Sequence, residues 1–346
     1  MFKTERLYYT DCYLREFDAR VMTTQPVGER FAVYLDRSAF YPASGGQPSD
    51  RGILGDAQVL DVVDEGETIA HIVDSAPKDE TVRGSVDWRR RFDHMQQHTG
   101  QHVLSAGFEE TSQLKTLSFH LGDDYSTVDL DSDRVSLAQI EEAESRANDV
   151  VYENRPVKIL FRDASETQGM RLRKPTEREG EVRLIRIEDF DLSACGGTHV
   201  SRTGSVGQIA VRKVERLRDQ TRIEFVCGGR ALRSARSDFR ILAETGLLLS
   251  TAREHIPDLV RKQSEELRTA VKATDKLTRR VASYRARELW SCASVRQGRK
   301  LIRCVFNSDE SVEAKMIAQA AAMLQACAAF IGVRSEPTLM YFAQSA

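Results

Sequence analysis

The chain has 346 residues, 41% of them hydrophobic and 29% charged, with a formal net charge of -2 at pH 7. That length and balance describe a soluble globular protein of two or three domains. No apolar run reaches the length of a membrane span. The start, "MFKTERLYYTDCYL", lacks the apolar core of a secretory signal, and the six scattered cysteines form no CxxC and no dense framework. The expected location is cytoplasmic, with reduced thiols.

Residues 1–88 read as β-rich. "RFAVYLDRSAFYP" and "AQVLDVVDEGETIAHIVD" are short β-branched and aromatic runs, and "PASGGQPSDRG" and "DEGE" supply turns between strands. A small barrel or sandwich fits. From Asp93 to about Glu110 the pattern turns helical, with Val103, Leu104 and Phe108 as apolar positions. "TLSFHLGDDYSTVDLD" reads as a hairpin turning at Gly122-Asp123-Asp124. "LAQIEEAESRANDVVYENR" reads as an amphipathic helix, "PVKILF" and "EVRLIRIEDFD" as strands. "LSACGGTHVSRTG" is a glycine-marked loop, and "GQIAVRKVERLRDQTRIEFVCG" holds two further strands.

After Gly229 the chain is helical, and Pro257 opens a second, longer helix. Val260, Leu267, Thr274 and Val281 recur there every seven residues, with Gln263, Ala270, Leu277 and Tyr284 as a companion row. This weak heptad suits a homodimer through 258–290 or a fold back onto the same chain. The stretch is also basic. Residues 261–303 carry thirteen Lys/Arg against four Asp/Glu, or +9, so the remainder sums to -11. A polyanionic partner and a solvated basic helix account equally for that charge. The end offers a strand ("KLIRCVF"), an Ala-rich helix and a strand ("TLMYF"), and stops abruptly at Ala346.

"HMQQHTGQH" places His94, His98 and His102 four residues apart in a chain with seven histidines. On a helix such residues stack on one face, so His98 and His102 can point at one ion. His94 lies a turn earlier, too far for a third bond of normal length. An HxxxH pair alone is more often a pair of half-buried polar residues. The zinc-peptidase pattern needs Glu after its first histidine, and Thr99 stands there instead. "CGGTH" adds Cys195 and His199, with Gly196 and Gly197 free to form a tight inward-facing loop. A thiolate with imidazoles makes a tetrahedral zinc site. The plainer readings are a buried structural thiol and an ordinary turn, but the two pairs together favour zinc.

Four motifs, "AFYPASGGQPSDRG", "DHMQQHTGQHVLSA", "SFHLG...STVDL" and "CGGTH", stand in one order across nearly the whole chain. In them the chain resembles the editing domain of alanyl-tRNA synthetase and, more closely, the longer freestanding alanyl-tRNA editing proteins of the AlaX type. The resemblance implies an α+β architecture. A translation-factor-like β-barrel would occupy 1–88, and an editing domain of the threonyl/alanyl-tRNA synthetase type 89–230. A helical segment over 231–290 and a small partial α/β end over 291–346 would follow. It also implies one Zn2+ per chain, held by His98, His102, Cys195 and His199, with His94 a helix neighbour. The implied reaction is hydrolysis of the ester in tRNA(Ala) mischarged with serine, and also with glycine. The aminoacylation domain of the synthetase is not in the sequence, so editing without ATP-driven charging is expected. The glycine-rich segment that ends longer relatives does not follow "TLMYFAQSA", so the C-terminal domain is expected to be incomplete.

A pocket sized for alanine rejects serine and glycine only weakly, so a second site must apply a different test. A group that hydrogen-bonds serine's hydroxyl would be left unpaired by an alanyl ester. Thr99, Gln101, Ser118 and Thr198 are candidates, with His120 a further polar contact. The plainer readings are helix surface for Thr99 and Gln101, a loop brace for Thr198, and a solvent-facing strand position for His120. Gly45-Gly46-Gln47 is read as a glycine-rich edge beside the pocket, since a three-residue match to release factors carries little. Arg89, Arg90, Arg91, Lys115 and the basic helix are candidates for tRNA phosphates. No carboxylate lies inside either metal motif, so the general base is unassigned. The rivals are a non-catalytic tRNA-binding module with a structural zinc, and a deacylase for another mischarged tRNA.

Overall fold

The computed structural model describes residues 2–167, 169–173 and 180–345. Met1 and Ala346, the outer ends of the expected 1–88 and 291–346 regions, lie outside the described residues. By internal contacts the chain forms two units, Met1–Phe239 and Arg240–Ala346. Both mix helices with sheets. Among the described residues no helix is long and apolar enough to cross a membrane.

The first unit begins with eight strands: β1 (Glu5–Arg6), β2 (Glu16–Val27), β3 (Arg30–Leu35), β4 (Arg37–Ser38), β5 (Gly52–Leu54), β6 (Ala57–Glu65), β7 (Thr68–Val73) and β8 (Thr81–Val86). Six of them pair in the cyclic order β2-β3-β7-β6-β5-β8, each with two neighbours, so the ladder closes on itself. Alternation drives this. Ala57, Val59, Val82 and Val86 point inward with Leu35, Leu54 and Ile69, while the residues between them face out. Closure leaves none of the six with a free edge.

Helix α1 (Trp88–Ser112) follows directly. Asp87 caps it by accepting from the Arg90 backbone N–H, and Gln113 ends it in the left-handed region at φ 57°. The helix starts five residues before the histidine-based expectation, because the cap lies at Asp87. The strands β9 (Thr116–Leu121) and β10 (Ser126–Leu130) form the expected hairpin. α2 (Leu137–Tyr152) opens with a Ser136/Gln139 capping box and buries Ile140, Ala143, Ala147, Val150 and Val151. Then come β11 (Val157–Asp163), a short α3 (Ala164–Thr167), β12 (Glu181–Ile187), β13 (Asp191–Ala194), β14 (Ile209–Arg216) and β15 (Thr221–Cys227). They build two antiparallel sheets, β14-β15-β10-β9 and β11-β12-β13. Met95, Leu104 and Phe108 of α1 share one core with Ile185, Ile187, Ile223 and Phe225 from both sheets.

Helix α4 (Gly228–Leu248) carries the chain into the second unit, where α5 (Ile256–Cys292) runs for 37 residues. A four-stranded sheet follows, from β16 (Ser294–Arg296), β17 (Arg299–Asn307), β18 (Cys327–Arg334) and β19 (Leu339–Gln344), with α6 (Ser311–Ala321) between β17 and β18. The Ala-rich stretch is therefore not one helix. Its second half, "CAAFIGVR", is a strand parallel to β17, and alternate residues Cys327, Ala329, Ile331 and Val333 are buried. Of α5, Ala282 and Ala286 enter this core. Val260, Leu267, Leu277, Val281 and Tyr284 of the heptad rows are exposed.

One expected phosphate contact is overturned here. Arg91 is fully buried, so it is not a surface cation. Its guanidinium forms an ion pair with buried Asp50 and donates to the carbonyls of Ala39 at 2.5 Å and Cys12 at 2.9 Å. Asp50 in turn accepts from the Tyr41 N–H at 2.6 Å. The side chain thus bolts α1 to the strand ring. Arg91→Met leaves Asp50 buried without its cation. It is expected to lower stability by about 3–5 kcal/mol, read by denaturant unfolding; a loss below about 1 kcal/mol would place the pair among the weak surface bridges.

Candidate metal centre

The four sequence-selected donors converge. One ligand atom each from His98, His102, Cys195 and His199 lies within 4.8 Å of the others. Cys195 Sγ is 3.4 Å from His98 Nε2 and 3.3 Å from His199 Nε2. A tetrahedral zinc with normal Zn–N and Zn–S bonds separates its ligands by about 3.5 Å. The histidine rings are buried and the rings of His98 and His199 lie 4.5 Å apart between centroids. His94 lies outside the set.

Each imidazole is held by its other nitrogen. With Nε2 aimed at the common centre, Nδ1 carries the proton and donates. His98 Nδ1 donates to Gln47 Oε1 at 2.8 Å. His102 Nδ1 donates to Asp191 Oδ2 at 2.9 Å. His199 Nδ1 donates to Thr99 Oγ1 at 3.2 Å, and Thr99 also accepts from the Val200 N–H. The donors come from α1 and from the loop after β13. The holders come from the ring, from β13 and from α1.

Two residues here escape a motif search. Asp191 sits four residues before Cys195, and Asp191 and Ser193 share the buried face of β13, which ends one residue before Cys195. Its oxygens also receive Arg173 Nε at 2.8 Å and the Ser193 hydroxyl. Arg183, on β12, is buried and donates to the carbonyls of Cys195 at 2.6 Å and Gly197 at 3.0 Å. The available signal was a charged residue inside the apolar run "EVRLIRI".

The electrostatics suit a cation. Burial would raise the Cys195 thiol, but the imidazoles of His98 and His199 outweigh it and hold it well below the ordinary thiol range. Burial pushes His199 down to about 3. Burial also works against the charged form of His102, but the Asp191 hydrogen bond raises it overall. Asp191 is buried too, yet His102 and Arg173 bring it down to about 2.

Loop geometry leaves no slack. A Cβ on Gly197 would stand 2.2 Å from His98 Cε1. Gly46 has φ +82°, and a Cβ there would stand 2.6 Å from the Phe119 carbonyl. The Gly46 carbonyl accepts from the Leu121 N–H at 2.9 Å, which docks the Gly45-Gly46-Gln47 turn on β9.

The pocket candidates separate. Gln47 and Thr198 adjoin the centre: Gln47 Nε2 donates to Thr198 Oγ1 at 2.8 Å, and Gln47 Oε1 accepts from the Thr198 N–H. Gln101 is buried and donates to Ser105 Oγ. Thr99 and Gln101 are therefore interior groups and not helix surface. Ser118 and His120 alternate with Phe119 on β9. They are exposed, and Ser118 donates to the buried Asp129. Strand alternation turns Phe119 inward instead, where it stacks on His98 at 5.2 Å. Arg89 and Lys115 are exposed, and Arg90 is half-buried.

These features, a strand ring feeding a helix whose histidines meet a CxxxH loop, have counterparts. A family model described as the threonyl and alanyl tRNA synthetase second additional domain matches residues 182–224, which include Cys195 and His199. The alanyl-tRNA editing protein AlaX-L of Pyrococcus horikoshii is 36% identical over 297 residues, 83% of this chain and 71% of the relative. The alanyl-tRNA editing protein Aarsd1 of Danio rerio is 32% identical, over 79% of this chain and 70% of the relative. The alanine–tRNA ligase of Pyrococcus furiosus is 36% identical, but only 33% of that longer protein is covered. The fold and site thus define an editing module of the threonyl/alanyl-tRNA synthetase kind. The chain belongs to the family of freestanding alanyl-tRNA editing proteins.

Gln47→Ala and Asp191→Ala each remove the partner of one imidazole. Each is expected to weaken binding of a divalent metal at the four donors about 10- to 100-fold while the fold survives. Competition against a chromogenic chelator reads the affinity, and circular dichroism the fold; unchanged affinity would make these contacts incidental.

Proposed function

We propose that the chain is a trans-editing hydrolase that deacylates mischarged tRNA(Ala), chiefly Ser-tRNA(Ala) and also Gly-tRNA(Ala), with one zinc held by His98, His102, Cys195 and His199. The observation that carries this is the convergence of four soft and borderline donors at one buried point in a member of this family. The donor set fits zinc, since three imidazoles and an acidified thiol are its usual partners. When bound, the zinc would act as a Lewis acid and as a fixed point for the substrate.

Hydrolysis consumes one water. Its oxygen bonds to the ester carbonyl carbon, the bond from that carbon to the ribose oxygen breaks, and a proton ends on the ribose hydroxyl. The chain's own residues set the geometry. Gln47, Asp191 and Thr99 fix the three imidazoles. Arg183 fixes the loop that carries Cys195. Asp191 is engaged by His102, Arg173 and Ser193, so it is a positioning group. Thr198 Oγ1 accepts from Gln47, which leaves its O–H to meet a serine hydroxyl. A site that spends a hydrogen bond on that hydroxyl rejects alanine.

In the same reading the strand ring is a translation-factor-like barrel, and the finer regions are 1–88, 89–230, 231–290 and 291–346. The exposed heptad side chains support pairing of two copies through 258–290. One observation favours a second reading: four protein donors usually mean a closed structural site. Turnover decides between them.

The test is release of labelled serine from Ser-tRNA(Ala), with Ala-tRNA(Ala) in parallel and zinc measured on the same sample. Release of serine but not alanine is the expected result; none from a zinc-loaded, folded sample would leave a binding module. Thr198→Val is expected to slow seryl release about 10-fold or more, with zinc content kept. His102→Ala is expected to lose zinc and activity together. Full activity without zinc would overturn the assigned ligands.

A further inference from the structure

An open cleft of about 690 Å³ runs along the first half of α1, with Arg89, Arg90, His94, Arg230 and Arg233 in its lining. His94 is 2% exposed, and its Nδ1 has no hydrogen-bond partner. Buried polar atoms are seldom left in that state unless something outside the fold completes them. The arginines are not equally free. Arg230 is bound to Asp93, at 2.6 Å for its shortest contact, and Arg233 approaches the same carboxylate at 3.8 Å. Arg89 is exposed and has no hydrogen bond or ion pair among the described residues. Arg90 donates to the Ser49 carbonyl at 3.0 Å, and its nearest anion, the exposed Asp123, is 3.8 Å away. Burial and the neighbouring cation Arg51 both press on the charged form of Arg90. Asp87, Asp93 and Asp123 also line the cleft, so its four arginines face three carboxylates, and the cation left over, Arg89, lies beside an unsatisfied, buried imidazole.

Its position supplies the ligand. His94 lies four residues, about 6 Å of rise, before His98, and Arg90 lies four residues before His94. All three are spaced by four and share a face of α1. An aminoacyl ester held at the four-donor centre has its own nucleotide's 5′ phosphate one backbone unit away.

We propose that this cleft seats the last phosphodiester of the RNA, with Arg90 and His94 as its inner contacts and Arg89 at its rim. The proposal rests on the tRNA-editing reading above. Arg90 supplies a charge-assisted hydrogen bond to a phosphate oxygen. His94, which burial and the nearby arginines push down to about 3, is a neutral group that donates one hydrogen bond through Nδ1–H. Neither contact reads sequence; both fix the register of the 3′ end.

The test is a double-mutant cycle with an uncharged acceptor-stem minihelix ending in CCA. One RNA is unmodified. The other carries a neutral methylphosphonate in place of the last phosphodiester. Binding is measured to the wild-type chain and to Arg90→Gln. The methylphosphonate is expected to weaken wild-type binding about 10-fold and Arg90→Gln binding less than about 2-fold. His94→Gln is expected to show the same loss of sensitivity in part. Equal weakening of wild type and variant, or no weakening of a wild type that binds the unmodified RNA, overturns the proposal. If Arg90→Gln does not fold, Arg89→Gln, which removes an exposed and unpaired cation, takes its place in the cycle. Serine release from Ser-tRNA(Ala) by the wild type is measured alongside. Intact release with a failed cycle removes the phosphate seat alone; absent release removes the editing reading and the seat with it.

Discussion

A histidine that serves a metal must give one nitrogen to the ion and commit the other elsewhere, or the ring turns freely and the geometry is lost. Three imidazoles meet this demand at once, through an amide, a carboxylate and a hydroxyl. The three holders differ in charge. His102 sits against a full anion, whereas His98 and His199 donate to neutral oxygens. The cluster thereby carries Cys195 and Asp191 as its anions without leaving two carboxylates face to face. Much of the surrounding architecture follows from delivering those three holders and one thiol to the same point.

The delivery joins distant stretches of chain. Gln47 arrives on a turn between strands of the ring, and that turn is pinned to β9 through Gly46. The thiol arrives on a loop fixed by Arg183, whose cationic head is spent on carbonyls and not on a carboxylate. The Arg91–Asp50 pair stands at the join of ring and helix. Such a buried pair contributes modestly to net stability, but it is costly to break on one side. It fixes where α1 leaves the ring, and so where His98 meets Gln47.

The donors were legible in the sequence because HxxxH and CxxxH encode their own geometry. A helix and a tight glycine loop each place residues four apart on one side. The hairpin, the capping box of α2 and the alternation in the ring strands were local signals as well. What stayed hidden was not local. Asp191 and Arg183 work across the fold, and nothing in spacing says which charged residue of a strand faces inward. Arg91 looked like its neighbours Arg89 and Arg90 in a basic triplet, yet helical rotation turns one of the three into the core. The sequence left the facing of Ser118 and His120 open, because the hairpin's inner face is set by the packing of Phe119 on His98. The Ala-rich stretch was ambiguous for another reason. Alanine suits a helix, and the later alternation of Cys327, Ala329, Ile331 and Val333 is quiet beside it.

The Gln47–His98 hydrogen bond has a consequence for anyone cutting the gene. A fragment beginning at Trp88 would contain all four donors and look complete to a motif search. It would nonetheless leave one imidazole without its anchor, and it would cut away Asp50, the counter-ion of Arg91. The boundary that is natural for the backbone is thus the wrong one for the chemistry. In this chain the smallest unit able to present the site joins the ring, the helix and the β11-β12-β13 sheet whose loop carries Cys195 and His199.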